Sequence, residues 1–141
     1  MKHFKYILLG TLILLIPSCT EYLDVKPKGK IIMSKKVLIL SGSPRKDGNS
    51  DILCNEFMRG ALESGNEVEK IRVAEKKIGF CRACYYCRQS EGICAVKDDM
   101  AEVLQKIINA YVIVLASPIY FYSIDAQLKA LIDRTVARWL E

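Results

Sequence analysis

Two uninterrupted apolar runs, Val37-Leu38-Ile39-Leu40 and Tyr111-Val112-Ile113-Val114-Leu115-Ala116, constrain this chain more than any other feature. Neither alternates polar with apolar residues, so neither suits a strand with one wet face. Both read as strands covered on two sides, which is the habit of parallel strands flanked by helices. The second run is the stronger and is expected at the centre of a sheet. The first ends in Ser41-Gly42-Ser43-Pro44 and the second in Ser117-Pro118, both loop signals.

The segments between the runs switch to helical spacing. Leu53, Phe57 and Ala61 recur on one helix face, with Ser50 placed to cap its start and Ser64-Gly65-Asn66 to end it. Val68, Ile71 and Val73 then sit among Glu67, Glu69, Lys70 and Arg72, a polar strand fit for a sheet edge. Asp99 and Glu102 form a capping-box pattern ahead of Met100, Val103, Leu104, Ile107 and Ile108. A last helix is expected from near Ser123, turning Ile124, Leu128, Leu131, Ile132 and Thr135 inward. Strand, helix, edge strand, helix, central strand, helix predicts an α/β fold: a parallel sheet with right-handed crossovers between two helical layers. With the polar strand at the edge, the order is 2-1-3, the opening half of a flavodoxin-like sheet.

Residues 1–32 stand outside that pattern. Lys2 and Lys5 precede an apolar run from Tyr6 to Ile16, too short for a bilayer helix, which needs about 20 residues. Ile16-Pro17-Ser18-Cys19 resembles a lipobox, and Cys19 to Gly29 resembles the mature start of starch-utilisation-type outer-membrane lipoproteins. The resemblance implies a membrane-anchored lipoprotein leader, with glycan binding as an alternative function. Met33-Ser34-Lys35-Lys36 then begins like a separate start, so two joined reading frames are expected, with a partial domain over residues 33–141. The net charge of +5 divides into +3 for residues 1–34 and +2 for the rest, without the clustered basic surface of a nucleic-acid binder.

Ligands of parallel α/β sheets bind at the carboxyl ends of the strands, near the point where strand order reverses. Two loops fall there. Ser41-Gly42-Ser43-Pro44-Arg45-Lys46-Asp47-Gly48-Asn49-Ser50 offers hydroxyls, a guanidinium and a helix N-terminus, the parts of a phosphate cradle. An ordinary polar loop would use many of the same residues. Ser117-Pro118-Ile119-Tyr120-Phe121-Tyr122-Ser123 places three aromatics in a row, which cannot all point into a core. They suit either a flat ligand or a subunit interface. His3 is the only histidine, so histidine-assisted nucleophilic catalysis has no base in the domain.

Lys36 to Arg45, Gly48-Asn49-Ser50 and Ser117 to Phe121 resemble the NAD(P)H-dependent FMN reductase and iron–sulfur flavoprotein branch of the flavodoxin-like superfamily. That resemblance implies an FMN-dependent NAD(P)H oxidoreductase, cytoplasmic and homodimeric, passing electrons to a small-molecule acceptor. It implies that Ser41, Ser43, Arg45, Asn49 and Ser50 hold the FMN phosphate, and that Pro118, Ile119, Tyr120, Phe121 and Tyr122 flank the flavin ring. No side chain is required as acid or base.

Four cysteines form the array Cys81-x2-Cys84-x2-Cys87-x6-Cys94, whereas Cys54 lies beside a helix stripe as a small core residue. Three thiols at intervals of three and a fourth nearby can wrap a [4Fe–4S] cubane. Zinc usually takes two separated knuckles, and disulfides require export. The array resembles the compact cluster motif of iron–sulfur flavoproteins, although similar reductases carry such cysteines without a demonstrated cluster. The family fold uses five strands. With three, the run 111–116 is an open edge, and a marginally stable chain or an inactive fusion fragment is the alternative outcome.

Overall fold

The computed structural model describes residues 34–138; the lipobox and everything else read from residues 1–33 lie outside the described residues. The elements follow the order β1 (Lys36–Ser41), α1 (Asn49–Glu63), β2 (Glu67–Arg72), a 3-10 turn (Val73–Glu75), α2 (Tyr86–Gln89), α3 (Met100–Asn109) and β3 (Val112–Ala116). A short hairpin of β4 (Ile119–Tyr120) and β5 (Ser123–Ile124) leads to α4 (Ala126–Arg134) and a closing 3-10 turn (Thr135–Ala137). The sheet order is β2-β1-β3 and both pairings are parallel, so the flavodoxin-like α/β arrangement read from the sequence is the one formed.

β1 is the true centre, with Val37 paired to Val68 and Val112 on either side. Its alternate residues enter two separate cores. Val37 and Ile39 pack with Cys54 and Met58 of α1, while Leu38 and Leu40 pack with Met100, Val103, Leu128 and Leu131 of α3 and α4. Burying an aliphatic side chain contributes about 1.5–3 kcal/mol, so these two clusters hold the three layers together. β3 is the open edge expected of a sheet with three strands in the order 2-1-3: among the described residues its outer side has no strand partner, and Val112, Ile113 and Leu115 are exposed.

Four local expectations are corrected. α1 is capped at Gly48, without a side-chain cap from Ser50, and begins at Asn49. Its buried face is Asp51, Cys54 and Met58, whereas Leu53 is 70% exposed and Phe57 is exposed. The cause is polar. Lys70 and Arg72 of β2 reach Asp51 Oδ1 at 2.9 and 3.0 Å, and this anchor sets the rotation of the helix against its hydrophobic stripe. The Asp99–Glu102 capping box does not form, because Asp99 accepts the Lys77 N–H at 2.7 Å and Glu102 pairs with Lys76 and Lys106. The last helix begins at Ala126, three residues later than expected, since Ser123 and Ile124 pair back onto Tyr120 and Ile119.

Candidate functional site

The β1–α1 and β3–α4 loops leave neighbouring strand ends and meet. Ser43, Arg45, Gly48, Asn49, Ser50, Pro118 and Tyr120 line one cavity of ≈ 230 Å³. Six of the ten sequence-predicted cofactor contacts therefore come together at the carboxyl end of the sheet, with Gly48 added. The N-terminus of the 15-residue α1 opens here without a side-chain cap, leaving first-turn N–H groups for an anion. Ser43 Oγ accepts the Arg45 N–H at 3.3 Å, which folds the loop back on itself. The residues fit a phosphate: two hydroxyls, a guanidinium, and backbone donors at a positive helix end.

The other four predicted contacts lie elsewhere. Ser41 is fully buried at the end of β1, on the α1 side, with its hydroxyl beside the Cys54 thiol. Burial pushes the Cys54 thiol above its ordinary pKa. Ile119, Phe121 and Tyr122 point outward, the last two 96% and 97% exposed. The pairing of Tyr120 with Ser123 leaves Phe121 and Tyr122 as a two-residue hairpin turn, both at positive φ (47° and 63°). Such turns ordinarily take Asn-Gly, so two bulky aromatics hold here a backbone that costs about 1–3 kcal/mol per residue. Their rings meet edge to face, with centroids 6.0 Å apart.

Two buried carboxylates that the sequence reading missed shape these loops. Asp51 accepts the Asp47 N–H at 3.2 Å and the Lys70 ammonium at 2.9 Å, tying the β1–α1 loop to β2. The Lys70 hydrogen bond leads in holding the Asp51 carboxyl below its ordinary pKa, against the opposing effect of burial. Asp125, 0% exposed, caps α4 by accepting the Leu128 N–H at 2.9 Å, and its other oxygen receives Ser117 Oγ at 2.7 Å. Gly42 must lie against it: a Cβ there would sit 2.1 Å from Asp125 Oδ2. Gly42, Ser117 and Asp125 thus clasp the two loops together. An aspartate just ahead of Ala126-Gln127-Leu128 is a helix-start signal that could have located this residue.

The cysteine loop forms a second cavity, ≈ 200 Å³, lined by Cys81, Cys84, Cys87 and Cys94 together with Arg134 and Ala137. All four thiols are free. Among the described residues no group of three or more His, Cys, Asp or Glu is gathered closely enough to hold a single metal ion. Ala83 and Tyr85, interleaved with the cysteines, sit at positive φ (51° and 55°), a conformation non-glycine residues keep where surrounding structure imposes it.

The sequence pattern of the NADPH-dependent FMN reductases matches residues 35–140, the stretch that builds the sheet and both loops. This chain belongs to the NADPH-dependent FMN reductase family. An iron–sulfur flavoprotein of Methanocaldococcus jannaschii is 43% identical over 100 residues, covering 71% of this chain and 51% of that protein. One from Methanosarcina thermophila is 37% identical over 101 residues, covering 72% and 52%. This member of the family therefore spans about half the length of the curated relatives it matches. In fold it is similar to an NAD(P)H:quinone oxidoreductase from Methanothermobacter marburgensis, with a TM-score of 0.62 at 22% identity, over 73% of this chain and 53% of that one. No helix among the described residues of this FMN reductase relative is long and apolar enough to cross a membrane.

Proposed function

We propose that the chain carries the FMN-binding half of an NAD(P)H-dependent oxidoreductase that passes electrons to a small-molecule acceptor. The observation behind this is the convergence of the β1–α1 and β3–α4 loops on one cavity with a phosphate cradle at one wall and Pro118 and Tyr120 at the other. Ser43, Arg45, Asn49 and Ser50 hold the phosphate, and Ser41 supports the cradle from beneath rather than touching it. Bound there, FMN would supply hydride and single-electron chemistry, while this chain's residues bind and orient it. Phe121 and Tyr122 stand clear of the chain at the hairpin tip, where a second copy in a homodimer could take them up. Anaerobic absorption of the purified chain supplied with FMN tests the reading: retained flavin bands that bleach with NADH or NADPH support it, and free flavin after gel filtration refutes it.

The cysteine loop supports a finer reading, a [4Fe–4S] cluster held by Cys81, Cys84, Cys87 and Cys94. A cubane spreads its thiolates more widely than the shell of a single ion, and the four sulfur-bearing residues share one cavity. The relatives named iron–sulfur flavoproteins lend the same support. When bound, a cluster would supply one-electron transfer; the chain's part is to hold four thiolates around one space. Iron and acid-labile sulfide assays after anaerobic purification decide it, and a protein free of both removes the cluster.

A further inference from the structure

Arg134 is 2% exposed, near the end of α4, and it accounts for nearly all of its hydrogen-bonding capacity inside the protein. Nη1 donates to Gly79 O at 3.0 Å and to Asp98 Oδ2 at 2.8 Å. Nη2 donates to Asp98 Oδ1 at 3.0 Å and to Val96 O at 3.3 Å. Asp98 in turn accepts the N–H groups of Gly79 and Met100 at 2.8 and 3.1 Å. Gly79 precedes the first cysteine of the array and Val96 follows the last. One bidentate ion pair therefore closes the whole cysteine loop at its neck, with the fork geometry that makes arginine and carboxylate specific partners.

Of the five guanidinium N–H groups, four are spent this way. The fifth, on Nε, is buried, and among the described residues it meets no oxygen or nitrogen acceptor; the sulfur of Cys94 is its neighbour. A buried donor left unmatched costs about 1–3 kcal/mol, so this N–H favours an acceptor placed beside it in the cysteine loop. The same side chain lines the cavity shared by the four cysteines, and with Cys94 it also lines a second groove. The Cys94 sulfur lies close enough to join Asp98 in raising the pKa of Arg134.

We propose that Arg134 is a positioning residue for the cysteine cradle: with Asp98 it staples the loop into shape before metal arrives, and its Nε–H is kept for a sulfur of the occupied site. The acceptor is either the Cys94 thiolate or a sulfide of the cluster, so this second half rests on the cluster reading above. Hydrogen bonds to such sulfurs raise a cluster's reduction potential and fix ligand orientation.

The test uses the full chain, with and without anaerobic reconstitution by ferrous iron and sulfide. Before reconstitution, trypsin cleavage at Arg82 and Arg88 reads how often the loop opens, with cleavage at Arg59 in α1 as the control. Arg134→Met, combined with Asp98→Asn so that no lone carboxylate is buried, is expected to raise cleavage at Arg82 and Arg88 by about tenfold while leaving Arg59 unchanged. Equal rates in both proteins overturn the staple. Arg134→Lys keeps the charge but loses the Nε–H; after reconstitution it is expected to bind iron with a lower reduction potential than the unaltered chain. An unchanged potential overturns the reserved donor. If the unaltered chain takes up no iron, the cluster reading fails and the donor role with it, while the trypsin rates still decide the staple.

Discussion

Gly42→Ala is the sharpest test of how the two loops are joined. The added methyl would lie 2.1 Å from Asp125 Oδ2 and 2.8 Å from Asp125 Cγ, so the carboxylate must move. It cannot move and keep its partners. Loss of its bond to the Leu128 N–H uncaps α4, at about 0.5–2 kcal/mol. Loss of the 2.7 Å bond from Ser117 Oγ leaves the buried Asp125 Oδ2 unmatched, at about 1–3 kcal/mol. Together these give a destabilisation of about 2–4 kcal/mol, or a fall in melting temperature of roughly 10–20 °C for a domain of this size. Circular dichroism melts measure it directly.

The diagnostic is the double variant. Asp125→Ala alone forfeits the same two bonds and should cost a similar amount, about 2–4 kcal/mol. Once that side chain is gone, the methyl of Gly42→Ala enters vacated space and should add almost nothing. The pair should therefore be strongly non-additive, with a coupling of about 2 kcal/mol or more. Additive costs would mean that Gly42 and Asp125 act separately, and the clasp would be wrong. Flavin affinity should follow the same pattern, because the clasp sets the distance between the phosphate cradle and Pro118.

Other consequences follow from single contacts. Arg45→Ala should weaken FMN binding by about 10- to 100-fold, the worth of one charged hydrogen bond, with riboflavin affinity little changed; equal losses for both ligands would place Arg45 away from the phosphate. Because the Asp51 pKa is lowered on folding, its contribution to stability is full above the ordinary aspartate value of 3.8 and drains away as pH falls below it. Asp51→Asn should therefore lower the urea midpoint at pH 7 and lose less between pH 5 and pH 3 than the unaltered chain. Replacing Phe121-Tyr122 with Asn-Gly should relieve the positive-φ strain and stabilise the hairpin by about 1–3 kcal/mol. If those aromatics serve the flavin, the same change should weaken FMN retention. Gly92→Ala, at φ +79° with a Cβ only 2.8 Å from Ala137 O, should loosen the cysteine loop and speed its proteolysis.

The sequence made the frame of this fold legible because burial leaves its mark in composition. Val37–Leu40 is buried on both faces and reads so, the apolar run Val112–Ala116 reads as a strand although several of its side chains are exposed, and the polar residues of β2 marked it as an edge. What stayed hidden was decided by polar groups acting over long sequence distances. Asp51 looked like an unremarkable helix residue, yet its partners Lys70 and Arg72 lie about twenty positions away and turn α1 off its hydrophobic stripe. Arg134 occupies a helix otherwise read by its leucines, and its partner Asp98 is 36 residues earlier. The same limit divides the candidate site. The residues proposed for its cradle lie within one loop and can be considered together in sequence, whereas Asp125 caps α4 and Arg134 ends it, a helix that sequence reading treated as packing. The two residues act in parallel ways, each a buried polar side chain fixing the neck of a loop. If both predictions above hold, α4 is the element that registers the flavin cavity and the cysteine cradle on one rigid body.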